Sequence, residues 1–242
     1  MIGARRLVQA SALCALAAVS AACGGGGSSH PTSQVPRSEL AAMVLPKSAF
    51  GGPAAALRIN AVSGFLSNAK AANGDLDPRM TTVSLARAGR LSGYARTFRG
   101  TLSRFESAIE AGGGLLVLGS DVDLFRDDRG AEGQLRRSVD DLRALVGKRL
   151  KGGATLVRGA TFSPAKIGDA ATGERFEIRI KGISIYITQV GFRHGDLVAA
   201  VFEERADPRN LDAKMISFAR VLDGRIRRVL NGRVHTEPAW QG

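Results

Sequence analysis

Two cysteines and three histidines bound the covalent and metal chemistry open to this chain of 242 residues. Cys14 lies inside an apolar N-terminal run and Cys23 at its end. Beyond residue 23 there is no thiol for a disulfide, a nucleophile or a soft metal. His30, His194 and His235 are far apart, and no pair has metal-ligand spacing. Ser63-Gly64 and Ser92-Gly93 lack the flanking glycine of a nucleophile elbow, and no Gly-x-x-x-x-Gly-Lys loop occurs. Gly112-Gly113-Gly114 precedes an expected strand rather than a helix, so it presents no helix N-terminal amides to a phosphate and reads as a flexible connection. The one acidic cluster is Asp121-x-Asp123 followed by Asp127 and Asp128. Its carboxylates suit a hard cation, but the glycine and closing glutamate of a calcium loop are missing. Asp127 and Asp128 have a sufficient role at a helix N-terminus, with Arg126 and Arg129 as counterions. The expectation is therefore a non-enzyme with no catalytic residue, metal or cofactor.

Cys23 is different because of what surrounds it. Arg5 and Arg6 form a positive start, and residues 7–22 are almost wholly apolar or small, too short for a spanning helix. The run ends in Val19-Ser20-Ala21-Ala22-Cys23, which resembles a bacterial lipobox, with Ser20 where that motif usually has Leu. The resemblance implies export, cleavage before Cys23 and diacylglyceryl transfer to its sulfur. Two or three acyl chains exceed the single chain that holds only marginally. Gly24-Gly25-Gly26-Gly27-Ser28-Ser29, continued by Pro31 and Pro36, reads as the slack of a lipid-anchored tether. The alternative is an ordinary signal, Ser20-Ala21-Ala22, releasing a soluble exported protein with a free Cys23. The expected organisation is a signal over 1–22, a tether over 23–37, one domain over 38–232 and a tail over 233–242 that carries Trp240.

The bulk composition, 44% hydrophobic and 23% charged, is that of a globular domain. The net charge is +12, and without Arg5 and Arg6 there remain 32 basic against 22 acidic residues, a balance of +10. The arginines gather around residues 87–104, 136–151 and 220–228 without interleaved aromatics or a nucleic-acid-binding motif, so no nucleic acid is expected. They read as solvated faces; an exported basic chain would meet anionic lipid, a cell-wall polymer or a membrane protein.

The elements that must position any site are legible in part. A short helical turn over 38–44 stops at Pro46, and Asp77-Pro78 reads as the cap and first residue of a helix to about residue 88. Residues 94–99 look extended, 104–111 are ambiguous, and 115–125 form a strand in which Val122 and Leu124 face away from Asp121 and Asp123. A long helix over 127–150 carries Ala131, Leu135, Val139, Leu142 and Val146 on one stripe. Four strands follow, over 154–162, 174–180, 184–192 and 197–204, with tight turns at Lys181-Gly182 and His194-Gly195-Asp196. The parity of Ile185 and Ile187 differs from that of Val190 and Phe192, which predicts a bulge near Gln189. A last helix opens at Asp207-Pro208 and runs to about residue 230 with Leu211, Met215, Phe218, Leu222, Ile226 and Val229 inward. The predicted fold is α+β: a mainly antiparallel sheet of about five or six strands packed with two long helices and a shorter N-terminal helix, over a single core layer.

This order of elements over about residues 90–232, with Val122-Asp123-Leu124-Phe125 and Val198-Ala199-Ala200-Val201-Phe202 as its segments, resembles the Mog1/PsbP-like domains of actinobacterial lipoproteins. The resemblance implies a one-sheet α/β sandwich used as a binding or accessory module and carries over no catalytic residue. Three function classes follow. A non-catalytic binding or accessory lipoprotein needs only a cavity or sheet face; a sensor or assembly partner of a membrane complex needs an exposed patch; an envelope enzyme needs convergent polar groups that are not found.

Overall fold

A computed structural model describes residues 35–232. Among these, eight strands form one sheet: β1 (Arg58–Ile59), β2 (Gly64–Leu66), β3 (Arg90–Arg99), β4 (Leu115–Phe125), β5 (Thr155–Phe162), β6 (Ala170–Ile180), β7 (Ile183–His194) and β8 (Leu197–Arg205). Six α-helices accompany them: α1 (Leu40–Met43), α2 (Asn68–Gly74), α3 (Thr82–Arg87), α4 (Leu102–Glu110), α5 (Asp128–Leu145) and α6 (Asp212–Leu230). The spatial order is β1-β3-β4-β8-β7-β6-β5, with β2 also on β3, and every pairing is antiparallel. The α+β class and the antiparallel sheet are as expected. The strand count is higher because β1 and β2 are too short to show a period in sequence.

The β6–β7 and β7–β8 hairpins close at the expected turns. Lys181 and Gly182 both have positive φ, 50° and 84°, the mirror-image turn that matches strand twist. The bulge near Gln189 is absent, since β6 and β7 pair continuously from Ala170↔Arg193 to Ile180↔Ile183. Both side-chain parities of β7 are buried because helices cover both faces of the sheet. One face carries α5: Leu142, Leu145, Phe176, Ile178, Ile180, Ile185 and Ile187 share its core with Phe202. The opposite face carries α6 and the N-terminal segment: Met215, Ala219, Leu222 and Ile226 meet Val190, Phe192, Val201 and Val122, together with Leu40, Met43 and Phe50. The molecule thus has two core layers with the sheet between them, not one.

Both Asp-Pro signals mark loops rather than helix starts. Asp77 is fully buried and gripped by Arg79, and the helix begins later at Thr82, where Thr81 and Ser84 form a reciprocal cap. Asp207 is gripped by Arg205 and Arg209 and accepts from Gly114 N, while α6 begins at Asp212. The same bond ties down the triple-glycine segment, with Ala206 N donating to Gly114 O, so that connection is anchored. Helix α5 has its expected cap, Asp127 accepting from Gly130 N at 2.8 Å. It stops at Leu145, where Gly147 takes φ 77° and hooks its amide onto Leu156 O. Val146 is therefore exposed and Val139 only half-buried; Ala131, Leu135, Leu142 and Leu145 are the buried apolar residues of the stripe.

Candidate functional site

Cys23, the glycine-serine tether, His30, His235 and Trp240 lie outside the described residues. The acidic cluster does not converge. Asp123 is held by Arg90 through two bonds of 2.8 and 2.6 Å, and the Arg90 side chain is fully buried. Arg90 also donates to Leu66 O and Asn68 Oδ1, so it stitches β2 and α2 to β4. Arg90 is thus no solvated-face arginine, and it replaces Arg126 and Arg129 as the counterion. Burial first, and then the charge of Asp123, push the Asp121 carboxyl well above the usual carboxylate range. Among the described residues no three His, Cys, Asp or Glu side chains are grouped as metal ligands.

A second acidic group escaped the sequence reading because its members are far apart in the chain. Asp75, Asp77 and Asp141 are each at most 2% exposed, and Arg79 bridges Asp77 and Asp141 at 2.8 Å each. Lys151 Nζ donates to the carbonyls of Ala72 and Met80 alongside. Burial raises Asp141 to about 6 and Asp75 well above its ordinary value. These bonds fasten the 75–81 loop to α5. His194 Nε2 lies 2.5 Å from Asp223 Oδ1, and Arg227 shares that carboxylate. Among the described residues no hydroxyl is bonded to His194, so the pair lacks the nucleophile of a hydrolytic triad.

On β8, adjacent glutamates have opposite surroundings. Glu203 pairs with Arg205 and Lys214 on the α6 face. Glu204, 3% exposed, points to the α5 face between Val117 and Ile187, and no described residue bonds to it. Burial alone pushes its carboxyl up to about 7.

Among the described residues, a groove of about 350 Å³ lies at the β1 edge. Arg58, Ile59, Asn60 and Ala61 form one wall, and Arg99, Gly100 and Thr101 form the other where β3 passes into α4. Arg58 and Arg99 are direct cross-strand partners. Arg99 in turn faces Val117, which places the two guanidiniums on the α5 face of the sheet. Among the described residues, no acidic side chain lines the groove. Arg99 belongs to an arginine run noted in sequence; Arg58 lies outside it, and their meeting depends on a two-residue strand.

No family model and no curated protein matches the sequence. The fold has a solved neighbour: the crystal structure of the extracellular domain of PknH from Mycobacterium tuberculosis, 12% identical, TM-score 0.51, covering 80% of this chain and 97% of that domain. At that identity the likeness is one of fold. The Mog1/PsbP-like resemblance, drawn from element order and the segments over 122–125 and 198–202, is not shown by this likeness.

Proposed function

We propose that this chain is a non-catalytic binding module of the bacterial cell envelope, held on the extracytoplasmic face by lipid on Cys23, with the domain reading a ligand or partner. The observation that carries the location and the class is the fold, shared along nearly the whole length of a domain described as extracellular. The ordered succession of Arg5, Arg6, the apolar run, Ala21-Ala22-Cys23 and the glycine tether supports anchoring. Among the described residues no helix is long and apolar enough to cross a membrane. Among the described residues, the lack of a hydroxyl bonded to His194 and the engagement of Asp77, Asp123 and Asp141 by arginines favour binding over catalysis. A sensor role is the second reading, supported by the same neighbour. The partners in either case are the membrane through the lipid and an anionic lipid, wall polymer or membrane protein through the domain.

The test is mass spectrometry of the N-terminal peptide from the membrane fraction. A diacylglyceryl adduct on Cys23 is expected, with loss of membrane association in Cys23→Ser. A soluble mature protein carrying a free Cys23 thiol would reject the anchor.

A further inference from the structure

We propose that the outer face of α6, with the segment just before α1, is the side on which the domain docks onto an anionic bilayer surface, Arg37, Arg220, Arg227 and Arg228 meeting the headgroups. The geometry rests on the lipid anchor at Cys23, the chemistry on the charge of this face. Val35 is buried in the core layer under α6 with Leu40, Leu222 and Val229. The residues after it are fastened there, with Arg225 Nε donating to Ala42 O and α1 lying against α6. The chain from Cys23 therefore joins the domain on the α6 side of the sheet. Val35 is twelve positions beyond Cys23, and twelve residues span at most about 40 Å. A domain of this size is itself about 40 Å across. With the α5 face against the membrane, those twelve residues would have to pass around the whole molecule, a longer path than they can cover. The α6 side is the one the anchor holds near the bilayer.

The exposed charge of that side has one sign. Arg220, Arg227 and Arg228 are exposed on α6, and Arg37 is exposed just before α1. Arg220 and Arg227 stand two turns apart in one row, as do Val221 and Arg228, away from the buried Met215, Ala219, Leu222 and Ile226. Gly224 lies between them, and a Cβ there would meet nothing within 4 Å, so the row is open. The acids of these segments, Glu39, Asp212 and Asp223, are half-buried, and the last two pair with Arg175 and Arg227. Arg37, Arg220 and Arg228 have no carboxylate partner among the described residues. On α5, by contrast, Asp128 and Asp140 are exposed among Arg129, Arg136 and Arg143, and most of that charge is offset. Guanidinium forks match phosphate oxygens, and each basic side chain that reaches an anionic bilayer strengthens association by about fivefold. Val221, 44% exposed in the same face, adds a shallow apolar contact.

Docking and anchor can be tested apart. Purified protein carrying Cys23→Ser, which takes no lipid, is co-sedimented with phosphatidylglycerol-containing and with pure phosphatidylcholine vesicles. Binding to the anionic vesicles alone is expected, weakened by added salt and, tenfold or more, by Arg220→Glu with Arg228→Glu. The same reversal on the other face, Arg136→Glu with Arg143→Glu, should change it less than twofold. All four side chains are exposed, so both variants should keep their melting temperature, which circular dichroism checks. No binding to anionic vesicles overturns the proposal, as does an equal loss in the two variants, which would mean diffuse charge. Retention on isolated cell-wall polymer that depends on Arg220 and Arg228, without vesicle binding, also overturns it and gives the face to the polymer. An unmodified Cys23 in the native protein with binding through α6 intact would remove the anchor and leave the docking face standing; a lipidated Cys23 with no such binding would do the reverse.

Discussion

Gly93 leaves no space between itself and Asp123: a Cβ placed on Gly93 would lie 2.0 Å from Asp123 Oδ1 and 2.4 Å from an Arg90 guanidinium nitrogen. The two residues are partners across β3 and β4, so the glycine is what lets the Arg90–Asp123 ion pair lie flat against the sheet. Because Arg90 is enclosed, the pair has nowhere to swing.

Gly93→Ala should therefore cost about 3 kcal/mol or more, in the range seen when a buried charge loses its partner. Urea denaturation of the variant against the parent measures it. A change below about 0.5 kcal/mol would mean that the pair relocates freely and does not fasten β2 and α2 to the sheet.

The α5 layer should be equally sensitive at Leu142. This side chain is 1% exposed, and a Cβ on Gly159 would come within 2.6 Å of it, so helix and strand touch there. Leu142→Ala is expected to cost about 2–5 kcal/mol, whereas its exposed neighbour Arg143→Ala should stay within about 0.5 kcal/mol of neutral. Equal effects in denaturant would refute the assignment of that stripe to the core.

Stability should depend on pH through Glu204. Its folded-state value of about 7 is above the ordinary 4.5, so the folded state binds the extra proton between those two limits. Stability therefore falls as pH rises through that window, by roughly 3 kcal/mol for the 2.5-unit displacement, and then levels off. Asp141, raised to about 6, acts in the same direction. Melting at pH 5 and pH 8 should show the loss, and Glu204→Gln should shrink it and raise stability at pH 8. A variant as pH-sensitive as the parent would show that Glu204 carries none of the effect.

The acid cluster after β4 gives a further test. With Asp123 committed to Arg90 and Asp127 to the cap of α5, a chelator should leave the melting temperature unmoved. A fall of many degrees with EDTA would return Asp121 and Asp123 to consideration as ligands.

What could be read in the sequence was local. The β4 strand has its predicted bounds because a period-two pattern ends in the Asp127 cap, and the β6–β8 hairpins follow from turn residues that take positive φ. The two Asp-Pro errors share a cause. A cap signal assumes that the aspartate is unclaimed, but Asp77 and Asp207 are each taken by arginines two residues away. The parity break in β7 is visible in sequence, but with a single core layer it can only mean a bulge, whereas a helical layer on each face buries both parities without one. Glu203 and Glu204 look alike in sequence, and only the choice of face separates an ion-paired carboxylate from a solitary one. The groove was out of reach because Arg58 meets Arg99 through a strand with no periodicity to detect.

The place of β4 between β3 and β8 has a consequence for the order of assembly. A chain that emerges N-terminus first can pair β4 with β3 at once, but its other flank belongs to β8, which comes after α5 and the whole β5–β7 meander. Until β8 emerges, β4 exposes a row of unmatched amides and carbonyls along a strand containing Leu115-Leu116-Val117-Leu118. Docking of β8 is thus the late, long-range closing step, and the period before it is when the nascent protein is most vulnerable to proteases and to pairing with another copy.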